Sequence, residues 1–155
     1  MTTLRVQAGR HVDAPPALVY ECLADMQRHH ARFLPEAFSD FEVVSGGVGE
    51  GTVIRYRLTA GGRTRRYEMA VTEPEPGRVL RESDAGSSLA TTFTVDPDGA
   101  GSQVTFETTW QGAGGVGGFF EALFAPRVMR RIYVDELGRL DAYARGRAAG
   151  EGGEG

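Results

Sequence analysis

The chain has 155 residues, 41% of them apolar and 25% charged, with a formal net charge of −4, which suits one domain with enough apolar material for a core. All 17 basic residues are arginine, so a Schiff-base lysine and a phosphate-binding P-loop are excluded, and the acidic balance argues against nucleic acid as a partner. One cysteine, Cys22, rules out an intramolecular disulfide and a multi-cysteine zinc site, and no apolar stretch approaches the ~20 residues of a membrane span or resembles a leader, so a cytoplasmic protein without stable membrane insertion is expected.

The first element is a strand over 4–12, where Leu4 and Val6 alternate with Arg5 and Gln7. Asp13-Ala14-Pro15-Pro16 reads as a helix start, an acidic cap followed by prolines whose fixed φ suits a first turn. Leu18, Val19, Cys22 and Leu23 follow at helical spacing, until the polar run from Gln27 to Arg32 ends the pattern. A second short helix or irregular stretch reaches Leu34 and stops at Pro35.

Beyond this point the hydrophobic period is two, and strands are predicted over 38–45, 52–59, 63–73, 79–83, 89–95 and 102–111. Ile54, Tyr56 and Leu58 share one face of their strand, as do Tyr67, Met69 and Val71 of the next. Leu89, Thr91, Phe93 and Val95, then Val104, Phe106, Thr108 and Trp110, do the same in the last two. The glycine-rich run 46–51, Gly61-Gly62, Pro74-Glu75-Pro76-Gly77 and Asp96-Pro97-Asp98-Gly99 supply the turns. Such a meander is antiparallel, with one apolar face that must be covered. The helix predicted over 116–145 covers it with a stripe of Met129, Tyr133, Leu137, Leu140 and Ala144, and with Phe119, Phe120, Leu123 and Phe124 upstream. About 28 helical residues reach ~42 Å, enough to cross a sheet. Pro126 predicts a kink or two abutting helices. Residues 146–155 lack a periodic face and are expected as a disordered tail, leaving 1–145 as the domain.

Several stretches in this order carry a family resemblance. They are the opening Val12-Asp13-Ala14-Pro15-Pro16-Ala17-Leu18-Val19-Tyr20 with Leu23-Ala24-Asp25, and the glycine turn Gly47-Val48-Gly49-Glu50-Gly51-Thr52. They continue with the hairpin from Thr72 to Leu80, then Phe93-Thr94-Val95 paired with Val104-Thr105-Phe106. Over residues 3–145 the chain resembles START-like, SRPBCC-type proteins of the polyketide cyclase/dehydrase group. Where many members have a tryptophan after the first helix, this chain reads Gln27-Arg28-His29-His30-Ala31-Arg32-Phe33. The resemblance implies an α+β helix-grip fold, a curved antiparallel sheet of about seven strands around a long C-terminal helix, with a cavity between them. It also implies a small hydrophobic partner, such as a lipid, quinone or polyketide, and in some members cyclisation or aromatisation; it supplies no universal catalytic residue.

Tyr56, Tyr67, Thr91, Thr108, Trp110 and Tyr133 fall in register with the apolar residues of their own elements. Since a buried hydroxyl without a partner costs roughly 1–3 kcal/mol, they either satisfy one another in an ordinary core or orient a ligand. On the ligand reading, Met69, Phe93, Phe106, Phe124 and Met129 form the apolar wall. Glu82 and His30 are the candidates for acid–base chemistry. Glu82 is in phase with Leu80, but pairing with Arg81 or Arg66 on the outer face is favoured, because buried unpaired charges are rare. His29 and His30 read as a solvated pair, or His30 as bordering the cavity mouth. Adjacent histidines do not share a helix face, so no metal site is expected. Gly112-Ala113-Gly114-Gly115-Val116-Gly117 matches GxGxxG, but the remainder of the chain reads as helix and tail rather than a second parallel strand, so no cofactor is expected. Arg63, Arg65 and Arg66, and Arg127, Arg130 and Arg131, read as solvated faces, the second group being the surface of an alternative protein-interaction module. The expected state is a monomer or homodimer.

Overall fold

A computed structural model describes the backbone of residues 3–112 and 115–153, and the side chains of 3–112 and 125–150. Thr3–Val12 (β1) leads to Pro16–Ala24 (α1) and a 3-10 turn, His30–Phe33. Six strands follow: Phe38–Ser45 (β2), Val53–Ala60 (β3), Arg63–Glu75 (β4), Val79–Asp84 (β5), Ala90–Asp98 (β6) and Gly101–Gln111 (β7). The helix Gly115–Gly153 (α2) is the last described element. All seven strands form one curved antiparallel sheet, ordered β1-β7-β6-β5-β4-β3-β2 and gripping α2, the helix-grip arrangement expected from the resemblance.

Alternation of side chains decides which face is concave. In β1, Leu4, Val6 and Ala8 are buried and stand opposite Trp110, Thr108 and Phe106 of β7, while Arg5 and Gln7 point to solvent. Phe93 of β6 pairs with Phe106 on one side and Leu80 of β5 on the other, so the apolar face runs across the sheet. Onto it α2 lays Tyr133, Leu137, Leu140 and Ala144, and α1 adds Leu18, Val19, Cys22 and Leu23. Each large apolar side chain buried here contributes roughly 1.5–3 kcal/mol.

Two local devices shape the rim. Asp40 takes a left-handed φ of 52° within a register shift between β2 and β3. This bulge turns both Phe38 and Phe41 inward, where they meet Tyr56 and His30. The glycine turn before β3 docks on the end of α1 through the Gly49 N–H, which donates to the Ala24 carbonyl at 3.0 Å. Gly49 has φ +64°, and a Cβ there would collide with Oε1 of Glu73. That same Oε1 accepts from the Glu50 N–H, and the other Glu73 oxygen accepts from the Tyr20 hydroxyl at 2.8 Å.

The structure moves several predicted boundaries. Asp13 does not cap α1: Pro15 occupies the N-cap position without a side-chain bond, and the Asp13 N–H is used on Asp141. The β6–β7 turn lies at Gly99-Ala100, because Asp96, Pro97 and Asp98 remain paired with Gln103, Ser102 and Gly101. Pro126 sits inside one helix rather than between two. That helix continues beyond 145 to Gly153, with Ala148 packed on the core, where composition alone suggested a tail. The GxGxxG run falls partly outside the described residues.

Candidate functional site

Beneath α2 the sheet and helix leave a small chamber of about 20 Å³, room for one water-sized group. Ile54 of β3 and Phe93 of β6 form its apolar floor, and Leu34, Phe38 and Phe41 close the side toward β2. The remaining lining is polar: His30, Tyr56, Glu82, Thr91, Tyr133 and Glu136.

Part of this polarity is internally satisfied. Thr91 and Thr108 share a hydroxyl hydrogen bond of 2.7 Å, and Thr108 bonds the Tyr133 hydroxyl at 2.5 Å. Hydroxyls both donate and accept, so the three saturate one another across β6, β7 and α2. Glu82 is different. It stands on β5 between Val71 and Thr91, is buried, and its Oε1 has no hydrogen-bond partner among the described residues. Burial pushes its carboxyl up to about 8.

His30 faces Glu82, with Nε2 and Oε1 3.9 Å apart. The ring is fixed from behind, because Nδ1 lies 2.7 Å from the Leu23 carbonyl, which can only accept. Nδ1 therefore carries the proton in the neutral ring, and Nε2 turns a lone pair toward Glu82. Burial lowers this imidazole to about 4, against the smaller opposing pull of the Leu23 bond. Around neutral pH the two groups are a neutral acid and a neutral base rather than an ion pair. Glu136 of α2 is also buried, and its carboxyl is pushed well up by burial and by Glu82. The Tyr56 hydroxyl is raised by burial and then by Glu82, Tyr133 and Glu136.

The structure gathers Tyr56, Thr91, Phe93, Tyr133, Glu82 and His30 around the chamber. Thr108 and Phe106 stand just behind, Phe106 meeting Phe93 and Tyr133 edge to face. Met69 is fully buried opposite Ile54 and Asp84, outside the chamber lining. Trp110 and Met129 pack against the core away from the lining. Tyr67 touches Tyr56 but opens into a separate groove of about 690 Å³ on the β2–β5 side, which Tyr56 also lines. Charged residues dominate that groove, and several pair within it, Arg55 with Glu68 at 2.8 Å and Arg57 with Asp40 at 3.3 Å. The side-chain surroundings of Phe124 lie outside the described residues.

Two expectations are corrected. Glu82 points inward rather than pairing with Arg81 or Arg66, because Leu80 and Glu82 alternate without a bulge against Phe93 and Thr91. His29 and His30 are both buried rather than solvated: His29 bonds the Tyr143 hydroxyl of α2 at 2.7 Å, and His30 packs among Phe33, Phe41 and Phe93. Sequence reasoning misses Glu136, although it follows Tyr133 by three positions and precedes Leu140 by four, which places it on the apolar stripe. Arg127, Arg130 and Arg131 are exposed on α2. Among the described residues no three acidic, histidine or cysteine side chains converge as metal ligands, and no helix is long and apolar enough to cross a membrane.

A family model described as polyketide cyclase/dehydrase and lipid transport matches residues 3–145. Among solved structures, the chain is similar to the KanY protein, with 36% identity, a TM-score of 0.83, and coverage of 94% of this chain and 99% of that one. It shares its fold with TTHA0849 from Thermus thermophilus, at 21% identity and TM-score 0.77 over 93% of this chain and 99% of that one. It shares it also with the Zhui aromatase/cyclase from Streptomyces sp. R1128, at 19% identity and TM-score 0.74 over 94% and 96%. No curated protein matches the sequence. By the extent of the family match and the likeness to KanY, the chain belongs to the polyketide cyclase/dehydrase and lipid transport family of SRPBCC proteins.

Proposed function

We propose that the protein binds a small, mostly apolar molecule between the sheet and α2, with the molecule's polar group at the Glu82 end of the chamber. The observation that carries this reading is the buried Glu82 Oε1, which faces a void walled by aromatic rings and has no hydrogen-bond partner among the described residues. A chain selected only for stability places an aliphatic residue there, since an unpaired buried polar group costs roughly 1–3 kcal/mol. The ligand's bulk requires more room than one water-sized void. Leu34, Phe38 and Phe41 are only partly buried, so the wall on the β2 side is the one that yields. The family description and the Zhui aromatase/cyclase fold support the same reading.

Native mass spectrometry of the purified protein, followed by denaturing extraction, tests it. A stoichiometric apolar passenger is the expected result. A bare protein mass that does not shift on incubation with fatty alcohols, quinones and fused-ring phenols overturns it.

A second reading is an enzyme of the cyclase or dehydrase type working in the same chamber. The juxtaposition of a neutral carboxylic acid on Glu82 and an unprotonated Nε2 on His30 favours it, because these are a proton donor and a proton acceptor on one wall. Glu82→Gln separates the two readings. Loss of turnover with retained binding supports the enzyme, whereas unchanged turnover of every accepted substrate removes Glu82 from catalysis.

A further inference from the structure

We propose that the inner end of the chamber is a subsite for an uncharged hydroxyl group, which accepts a hydrogen bond from Glu82 and donates one to Nε2 of His30. This rests on the ligand reading above and adds the chemical class of the ligand's polar end.

The argument is one of donors and acceptors. Nδ1 of His30 spends its proton on the Leu23 carbonyl, so Nε2 offers only a lone pair. Glu82 Oε1 lies 3.9 Å from that lone pair, too far for a direct hydrogen bond, and has no other partner among the described residues. An oxygen about 2.8 Å from each atom closes the triangle. A hydroxyl there satisfies both neighbours, because it accepts the carboxylic proton and gives its own to the imidazole. A ketone satisfies Glu82 alone. A carboxylate meets the Nε2 lone pair and a second buried acid, Glu136, with no arginine among the described residues of the chamber lining. The other ionisable groups facing Glu82 are the hydroxyls of Tyr56 and Tyr133, which burial keeps protonated. An acidic lining also invites a cation, and the test separates that case.

Four probes on one skeleton decide it: 2-naphthylmethanol, 2-methylnaphthalene, 2-naphthoate and 2-naphthylmethylamine, titrated calorimetrically at pH 6.5. The alcohol is expected to bind about tenfold more tightly than the hydrocarbon, with the carboxylate weakest. Glu82→Leu, an apolar replacement suited to its surroundings, removes the alcohol's advantage, whereas Glu82→Gln keeps most of it because its amide still donates. A carboxylate or amine binding more tightly than the alcohol overturns the subsite, as does Glu82→Leu retaining the preference, while both leave the ligand reading standing. No binding of any of the four probes, with a mass spectrum free of passengers, overturns the ligand reading itself.

Discussion

The backbone N–H of Asp13 donates to Oδ1 of Asp141 at 3.1 Å, joining the residue after β1 to the C-terminal part of α2. Arg10 completes the latch, its guanidinium reaching Oδ2 at 3.0 Å, and Arg145 approaches Oδ1 at 3.3 Å. Burial pushes the Asp141 carboxyl up, but the Asp13 N–H, the Arg10 hydrogen bond and the two arginine charges outweigh it and leave it below its ordinary 3.8. Asp141→Ala is expected to cost about 2 kcal/mol in chemical denaturation. The carboxylate's contribution is complete above pH 3.8 and is lost as pH falls through its lower folded value, so wild type and Asp141→Asn converge in strong acid.

Glu82 gives the opposite slope. The unfolded chain releases this proton near 4.5 and the folded chain holds it to about 8, so stability is full below the first value and declines up to the second. Glu82→Gln removes the decline and should exceed wild type by roughly 4 kcal/mol at pH 8. Urea midpoints measured from pH 4 to pH 9 check it, and parallel curves for the two proteins would show that Glu82 titrates normally.

Gly49 carries two constraints at once, a left-handed backbone and the Glu73 carboxylate against its Cα. Gly49→Ala must strain φ and also displace Glu73 from the Glu50 N–H and the Tyr20 hydroxyl. We expect a loss of roughly 2–3 kcal/mol. Gly51→Ala is strained in φ, but its Cβ meets nothing among the described residues, so it should cost about 1 kcal/mol. Thermal melts of the pair distinguish the clash from the backbone strain.

The Thr91–Thr108–Tyr133 cluster predicts non-additivity. Thr108→Val should cost about 1 kcal/mol, because the hydroxyls it leaves behind stay buried. Replacing all three polar groups, with Thr91→Val and Tyr133→Phe added, should restore most of the loss. A triple variant less stable than the sum of its single variants contradicts a self-contained cluster.

Much of the sheet was legible because period two persists through β3, β6 and β7, and a buried face leaves no freedom of register. The stripe on α2 was legible for the same reason at helical period. The chamber was harder to read. Glu82 had the right phase, but its charge argued for the outer face; charge was a poor guide because burial among rings keeps the acid neutral. Four residues of 3-10 turn carry too little periodicity to show that His30 packs between Phe41 and Phe93. Phe41 itself escaped because the bulge at Asp40 breaks the alternation that would have assigned its face. Glu136 keeps the helical spacing of Tyr133 and Leu140, but its charge sets it apart from the apolar members that define the stripe.

The order of strands also bears on how the chain is made. Of the seven strands β1 is made first, yet among the described residues it pairs only with β7, while β2, the next strand to emerge, occupies the opposite edge. During synthesis β2 to β6 can zip hairpin by hairpin, whereas residues 3–12 wait with an unmatched backbone until residues 102–111 arrive. Closure of that pair is the contact of highest sequence separation in the sheet, so it comes late and slowly. The nascent protein is therefore most prone to self-association just before β7 appears, when it holds a nearly complete sheet with an apolar face still lacking α2.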